Sequence, residues 1–283
     1  MKLITGLFHL IRWPNILLTS LSIALGHWLS QSNRTGFELL LLMASGMCAV
    51  SFGNTINDIM DVETDRIAHP ERPLPRGDIS RSTAWLFALS SLVAGLASAF
   101  AVSRIFALAT LAPMILLAGY ALFLKGTPLI GNIVVSLLVA YPLLYGSLKS
   151  GTMHILLAPA LLAFILNLLR EIVKDVQDEA GDRQAGIRTS ASLPGYLLTT
   201  IMRTTTLAYL GLIMLPWWLG HFGAVYALVC SISVVPLHLY LSWRLLHPRW
   251  NLHLERTALL IKVEMLGGLA ALALDKTFTL IPH

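Results

Sequence analysis

The composition of this 283-residue chain is that of a membrane protein: hydrophobic side chains make up 56% of it and charged ones only 12%, whereas soluble domains average about half and about a quarter. A formal net charge of +5 does not call for nucleic acid here, because the basic loops of a membrane protein set its topology and contact anionic lipids. We therefore expect no nucleic-acid partner. The two cysteines, Cys48 and Cys230, lie in apolar runs, which excludes a disulfide framework and a cysteine metal site.

Apolar segments near the length that crosses a bilayer recur along the whole sequence. They predict an all-α membrane bundle of roughly nine transmembrane helices in one domain over residues 1–283. The first segment contains Arg12 and lacks a small-residue cleavage site, so it is predicted to be a permanent helix and not a signal peptide. In chain order the segments are 8–29, 37–56, 84–103, 105–124, 128–148, 154–173, 197–217, 222–245 and 257–273.

The placement of Lys and Arg predicts the orientation in the membrane, because loops rich in these residues stay in the cytoplasm. Most of the basic residues fall on the side of the N-terminus, and the opposite side holds only Arg34, Arg104, Lys149 and Lys276. We predict a multi-pass protein of the inner or plasma membrane with its N-terminus and its active site on the cytoplasmic side. The second and sixth loops, at 57–82 and 174–195, then form a cytoplasmic cap.

These two loops contain aspartates at the same relative positions, zero, three and seven. The two motifs are Asn57-Asp58-x-x-Asp61-x-x-x-Asp65 and Lys174-Asp175-x-x-Asp178-x-x-x-Asp182. On a helix such positions share one face and extend over about 10 Å, so each motif forms a stripe of carboxylates. A single aspartate at a helix end is commonly solvated or caps a neighbouring helix, but two matched stripes need a shared cation. Mg²⁺ supplies it and leaves positions open for diphosphate oxygens.

Basic residues flank both motifs. Arg72 and Arg76 follow the first, in a loop stiffened by three prolines, and Lys174 and Arg183 flank the second. Guanidinium groups bind phosphate oxygens in pairs, and an ammonium acts as a compact point charge. Any one of these bases could also reflect membrane topology alone.

The first motif, followed by Arg72-Pro-Leu-Pro-Arg76-Gly77, resembles the first motif of the UbiA family of intramembrane prenyltransferases. The second motif falls where that family has its own, and the resemblance covers nearly the whole chain. It includes Arg12-Trp-Pro-Asn15 in the first helix and a short loop in which Lys125 precedes Gly131-Asn132. Within the family, the segment from Arg170 to Arg183 resembles the digeranylgeranylglyceryl phosphate synthase branch.

The resemblance implies transfer of a geranylgeranyl or other polyprenyl group from its diphosphate to the hydroxyl of geranylgeranylglyceryl phosphate. The reaction forms an ether-lipid precursor and releases diphosphate. The implied cofactor is Mg²⁺, and the implied partners are the polyprenyl diphosphate donor, the lipid-phosphate acceptor and membrane lipids. The oligomeric state is not indicated.

The resemblance also assigns roles to residues of this chain. The implied metal ligands are Asn57, Asp58, Asp61, Asp65, Asp175, Asp178 and Asp182. The implied ligands of the diphosphate and of the acceptor phosphate are Asn15, Asn57, Arg72, Arg76, Lys125, Arg170, Lys174 and Arg183. The implied catalytic residues are Asp61, Asp65, Asp175, Asp182 and Lys125.

Two other functions remain open at this point. A prenyltransferase acting on an aromatic ring, as in quinone or chlorophyll-type synthesis, shares the donor chemistry. A cation-coupled transporter also carries acidic residues in its bundle, but here the acids gather on one side of the membrane. Asn54, Asn132 and Asn167 are predicted to form interhelical hydrogen bonds.

Overall fold

The computed structural model describes residues 2–184, 186–247 and 250–279, and these residues form helices without any strand. Short turns of other helix types occur at Tyr120–Leu124 and Cys230–Val234, which are π-helical, and at Met153–Leu156 and Ser190–Ser192, which are 3-10 helical. The α-helices are α1 (Lys2–Ile11), α2 (Trp13–Leu29), α3 (Gly36–Met60), α4 (Val62–Ala68), α5 (Pro73–Arg76), α6 (Arg81–Val102), α7 (Arg104–Gly119), α8 (Ile130–Ser147), α9 (Leu157–Gln184), α10 (Gly195–Leu212), α11 (Leu215–Trp218), α12 (Ala224–Val229), α13 (Val235–Leu246) and α14 (Leu254–Thr279).

Eight helical segments of the described chain are long and apolar enough to cross a membrane, which confirms the polytopic all-α fold. The predicted first segment, 8–29, is interrupted at Arg12, whose backbone is left-handed with φ 50°. Helices α1 and α2 therefore replace one long helix, and α2 has only 17 residues. The predicted count of nine is not confirmed.

Local sequence signals explain several helix ends. Helix α3 begins with a capping box, in which the Thr35 hydroxyl accepts a hydrogen bond from the Glu38 N–H and the Glu38 carboxylate accepts one from the Thr35 N–H. The Ser80 hydroxyl caps the start of α6 and the Ser103 hydroxyl caps the start of α7, each by accepting one backbone N–H bond. Helix α5 ends at Gly77, where φ is 79° and only glycine avoids strain.

The described chain forms two compact units: Met1–Lys125 with Pro142–Ser150, and Gly126–Tyr141 with Gly151–His283. We call them unit 1 and unit 2. The expectation of one domain over residues 1–283 stays a prediction.

Unit 1 is organised around α3, which packs against α2, α6 and α7. Its apolar centre includes Phe52, Ile56 and Met114. Glycines let other helices approach closely: a Cβ on Gly26 of α2 would overlap the Leu143 carbonyl in the last turns of α8. A Cβ on Gly146 of α8 would likewise overlap the carbonyl of Ile23 in α2. Small residues at such crossings are the usual basis of helix packing in membranes.

Unit 2 is organised around α9 and α14, which pack against each other. The Asp275 carboxylate on α14 accepts hydrogen bonds from the N–H groups of Gly223 and Tyr226, at 2.9–3.0 Å, and so caps the start of α12. His238 and Glu264 form a fully buried pair at 2.8 Å between α13 and α14. Asp275 thus links α14 to the start of α12, and the His238–Glu264 pair links α13 to α14.

Candidate active site

The first aspartate motif lies where α3 ends and α4 begins. Asp58 is in the last turn of α3, Asp61 separates the two helices with φ −87° and ψ 0°, and Asp65 is in α4. The motif therefore does not lie on one uninterrupted helix, in contrast to the predicted stripe. All three aspartates are nonetheless buried, with exposed fractions of 5%, 6% and 4%.

Two of the buried carboxylates are paired with arginines. Arg12 donates to Asp58 at 2.5 Å, and Arg72 donates to Asp65 at 2.7 Å. A buried carboxylate that kept its charge without such a partner would lose its hydration and be strongly destabilised. The left-handed break at Arg12 thus gives unit 1 a basic partner for the motif.

The third carboxylate, Asp61, accepts two bonds at the same oxygen. The Asn57 amide donates to Oδ2 at 2.7 Å, and the Lys125 ammonium forms an ion pair with that oxygen. Lys125 directly follows the π-helical turn Tyr120–Leu124. The predicted site residues Asn57, Asp61 and Lys125 are therefore in contact.

Arg76 is placed differently from Arg72. Its Nε donates to Asp78 at 2.5 Å, and its side chain is largely exposed. Asp78 is not part of either motif, so the structure leaves Arg76 outside the hydrogen bonds of the first motif. Its predicted role in diphosphate binding stays a prediction.

The second motif lies on α9, which continues to Gln184. The prediction that 174–195 is a loop was therefore wrong for its first half, because the carboxylates and bases there follow one helix at matching spacings. Asp175 is partly buried, whereas Asp178 is exposed and Asp182 is intermediate. The two motifs have identical spacing in the sequence, but the first is divided between two helices and the second lies on one continuous helix.

Three donors in unit 2 converge on a single oxygen of Asp175. The Asn132 amide donates to Oδ2 at 2.8 Å, and Ser190 donates its N–H at 3.0 Å and its hydroxyl at 2.7 Å. The short turn Ser190–Ser192 thereby holds the carboxylate in one orientation. Asp175 is the best-positioned member of the second motif.

The remaining predicted residues are more loosely held. Asn15 is exposed in the first turn of α2, and Lys174 and Arg183 are exposed on α9. Arg170 is paired with its neighbour Glu171.

The sequence did not predict that Arg12, Asn132 and Ser190 contact the aspartates of the motifs. Arg12 belongs to the Arg-Trp-Pro-Asn15 segment, so a signal was present, but its partner Asp58 was not predictable. Asn132 was expected to form an interhelical bond, and it does, with Asp175 as acceptor. Ser190 carries no signal in the sequence. The other predicted asparagine bonds also occur, from Asn54 to the Ile11 carbonyl and from Asn167 to Ser136.

The donor chemistry of both motifs fits Mg²⁺, which prefers carboxylate oxygens. Asp61 and Asp175 each accept all their bonds at Oδ2, so the other oxygen is not bonded to any described residue. Asp58 and Asp65 likewise use one oxygen each toward an arginine. No cluster of three or more His, Cys, Asp or Glu side chains suited to a metal is formed within the described ranges. The available oxygens would hold Mg²⁺ together with oxygens of a ligand.

Comparison with known sequences supports the same chemistry. A sequence model of the UbiA prenyltransferase family matches residues 17–263. Digeranylgeranylglyceryl phosphate synthase from Methanopyrus kandleri is 34% identical over 272 residues, which cover 93% of this chain and 96% of the relative. The enzyme of that name from Korarchaeum cryptofilum is 33% identical over 272 residues, covering 95% and 97%.

Solved structures show the same fold. One, from work on digeranylgeranylglyceryl phosphate synthase in membranes, matches with a TM-score of 0.83 at 26% identity, covering 98% of this chain and 99% of its own. A UbiA homologue from Archaeoglobus fulgidus bound to GPP and Mg²⁺ matches with a TM-score of 0.69 at 20% identity, covering 95% and 99%.

Proposed function

Because this chain belongs to the UbiA prenyltransferase family, we propose that it transfers a geranylgeranyl group from geranylgeranyl diphosphate to the hydroxyl of geranylgeranylglyceryl phosphate. The C–O bond between the geranylgeranyl group and diphosphate breaks, an ether forms at the glycerol oxygen, and diphosphate and the hydroxyl proton are released. The observation that carries the donor half is the buried set of three aspartates with their three basic partners in unit 1. The acceptor half is supported by the full-length relatives of that activity.

In unit 1, Asp58, Asp61 and Asp65 would hold Mg²⁺ through their available oxygens. When bound, the metal neutralises the charge that develops on the leaving diphosphate. Asn57 orients Asp61 through its amide bond. Arg72 and Lys125, already beside the carboxylates, donate to diphosphate oxygens, and we assign Arg76 to the same group as a more exposed donor.

In unit 2, we assign Asp175, Asp178 and Asp182 to the metal and diphosphate as well. The support is their spacing, which repeats that of the first motif, and the fixed orientation of Asp175. Asn132 and Ser190 are positioning residues that act through Asp175.

The acceptor phosphate requires basic contacts. Arg170, Lys174 and Arg183 on α9 are assigned to it, and Asn15 is assigned as a polar contact from α2. The excess of Lys and Arg in the loops on the side of the N-terminus supports a cytoplasmic active site, since such loops are retained in the cytoplasm. We propose the inner or plasma membrane as the location of the protein.

Product analysis tests the function. Purified protein is incubated with Mg²⁺, radiolabelled geranylgeranyl diphosphate and either geranylgeranylglyceryl phosphate or 4-hydroxybenzoate. We expect a labelled ether from the first acceptor and no product from the second. An aromatic product without any ether would overturn the acceptor and favour a quinone-type enzyme. Uptake of a labelled cation into proteoliposomes, with no prenyl product from either acceptor, would favour a transporter.

A further inference from the structure

A group of three basic side chains lies on two helices that pack against each other in unit 2. Arg170 and Lys174 are one turn apart on α9, so they share a face. Helix α14 packs against α9, which brings Lys262 of α14 within electrostatic reach of both bases and of Glu171. We call Arg170, Lys174 and Lys262 the basic cluster.

The basic cluster carries excess positive charge on membrane-spanning helices, where a charged side chain costs free energy. Glu171 is the one acidic side chain acting on Lys262 among the described residues, and it is already paired with Arg170. Lys262 lies within the membrane-spanning helix α14, about 12 Å from its first residue at 1.5 Å per residue. Ionisable residues inside such helices are rare and generally serve a ligand or a pathway. The excess charge therefore calls for an anion.

An unused hydrogen-bond donor points to the same conclusion. The Nε of Arg170 is buried and has no hydrogen-bond partner within the part of the chain that the structure describes. A buried donor without a partner is uncommon in native proteins and marks a missing ligand or water. The planar donors of a guanidinium match the oxygens of a phosphate group. Lys174 and Lys262 are exposed and can add their ammonium groups.

The anion differs from the diphosphate assigned to the second motif. Around α9, Asp175 is turned by about 100° from Lys174 and by about 140° from Arg170, and Asp178 lies between them, about 40° from Lys174. The basic cluster thus lies on the flank of α9 that faces α14 and not on the side of Asp175. Next to Lys262 on α14, the side chains of Leu259, Val263 and Leu266 are exposed and offer an apolar surface. A phosphate group attached to long apolar chains matches both surfaces.

We infer that Arg170, Lys174 and Lys262 bind the phosphate of the lipid acceptor, with its chain lying along the apolar surface of α14. The inference rests on the proposed function and adds Lys262, which the sequence left without a role. An anionic membrane phospholipid offers the same chemistry, so the experiment must separate the two sources.

Binding is measured without donor, so that no turnover is required. Protein in nanodiscs of neutral phosphatidylcholine is titrated with geranylgeranylglyceryl phosphate or with geranylgeranylglycerol, which lacks the phosphate. We expect Lys262→Gln to raise the Kd for the phosphate lipid about tenfold or more, since one charge-assisted contact is lost. The Kd for geranylgeranylglycerol stays unchanged. Arg256→Gln, which removes a charge from the same helix outside the basic cluster, leaves both values unchanged.

A second variant separates ligand binding from folding. Lys262→Arg keeps the charge and is expected to bind the phosphate lipid within about threefold of the unmodified protein, as expected where the charge matters more than the shape. Equal Kd values for the phosphate lipid in the unmodified protein and in properly folded Lys262→Gln and Arg170→Gln overturn the inference. Loss of phosphatidylglycerol binding alone, measured in a parallel titration, overturns the acceptor as the ligand. Normal binding of the phosphate lipid without any ether product contradicts the proposed function and leaves the binding site standing.

Discussion

At the scale of single residues, Asp61 is the side chain on which the first motif depends. Its Oδ2 atom contacts both Asn57 and Lys125, and we propose that its other oxygen binds the metal. We expect Asp61→Ala to lower kcat by about 10³-fold, because electrostatic stabilisation of the leaving diphosphate is lost. Glu63→Ala is the control: it removes a nearby carboxylate whose side chain is 75% exposed, and it should leave kcat unchanged. Turnover of Asp61→Ala within tenfold of the unmodified enzyme, in protein that elutes as a single folded species, would argue against the metal site.

The two buried asparagines Asn132 and Asn167 allow a second comparison at this scale. Both bond to a neighbouring helix, but only Asn132 holds an aspartate of a motif. We expect Asn132→Leu to raise the Mg²⁺ concentration needed for half-maximal rate about tenfold, because the orientation of Asp175 is released. Asn167→Leu should reduce thermal stability without changing the Mg²⁺ dependence. A shift of equal size in both variants would mean that Asn132 acts only on stability.

At the scale of elements, α2 packs closely against the last turns of α8, because glycines at the crossing let the two backbones come into contact. A methyl group at Gly26 or Gly146 meets a backbone carbonyl that cannot rotate away. We expect Gly26→Ala and Gly146→Ala each to destabilise the protein by about 1–3 kcal/mol, seen as a lower Tm in detergent. Gly268→Ala on α14 meets open space and should leave the Tm unchanged or raise it. Equal Tm values for all three variants would show that the helices tolerate separation.

At the scale of the whole molecule, the orientation in the membrane decides which compartment supplies the substrates. Glu71 lies beyond the end of α3, and Asn33 lies before its start, so the two mark opposite sides of the membrane. In a chain whose Cys48 and Cys230 are replaced by alanine, we expect Glu71→Cys to react with an impermeant thiol reagent only in inverted vesicles. Asn33→Cys should react only in intact cells. The opposite pattern would place the active site outside.

The sequence by itself determined the membrane class, most helix positions, the two aspartate motifs and the family. These properties reside in local composition and in the spacing of nearby residues. It could not determine where α3 ends, since the polar residues from Asn57 onward predict a loop from that point, whereas α3 continues to Met60 and α4 begins at Val62. Nor could it determine the partners of the aspartates: Arg12 and Asp58 are 46 residues apart, Asn132 and Asp175 are 43 apart, and Lys125 and Asp61 are 64 apart.

Only the tertiary structure brought these residues together, because helix packing and not local propensity decides which side chains meet. The packing of α14 against α9 also brings Lys262 within electrostatic reach of Arg170 and Lys174, which the spacing of the sequence does not predict. Two motifs with identical spacing also acquired different backbones, one broken between α3 and α4 and one continuous on α9. The matched residue types give the two motifs the same kind of side-chain ligands. The packing around each helix determines the backbone geometry of its motif.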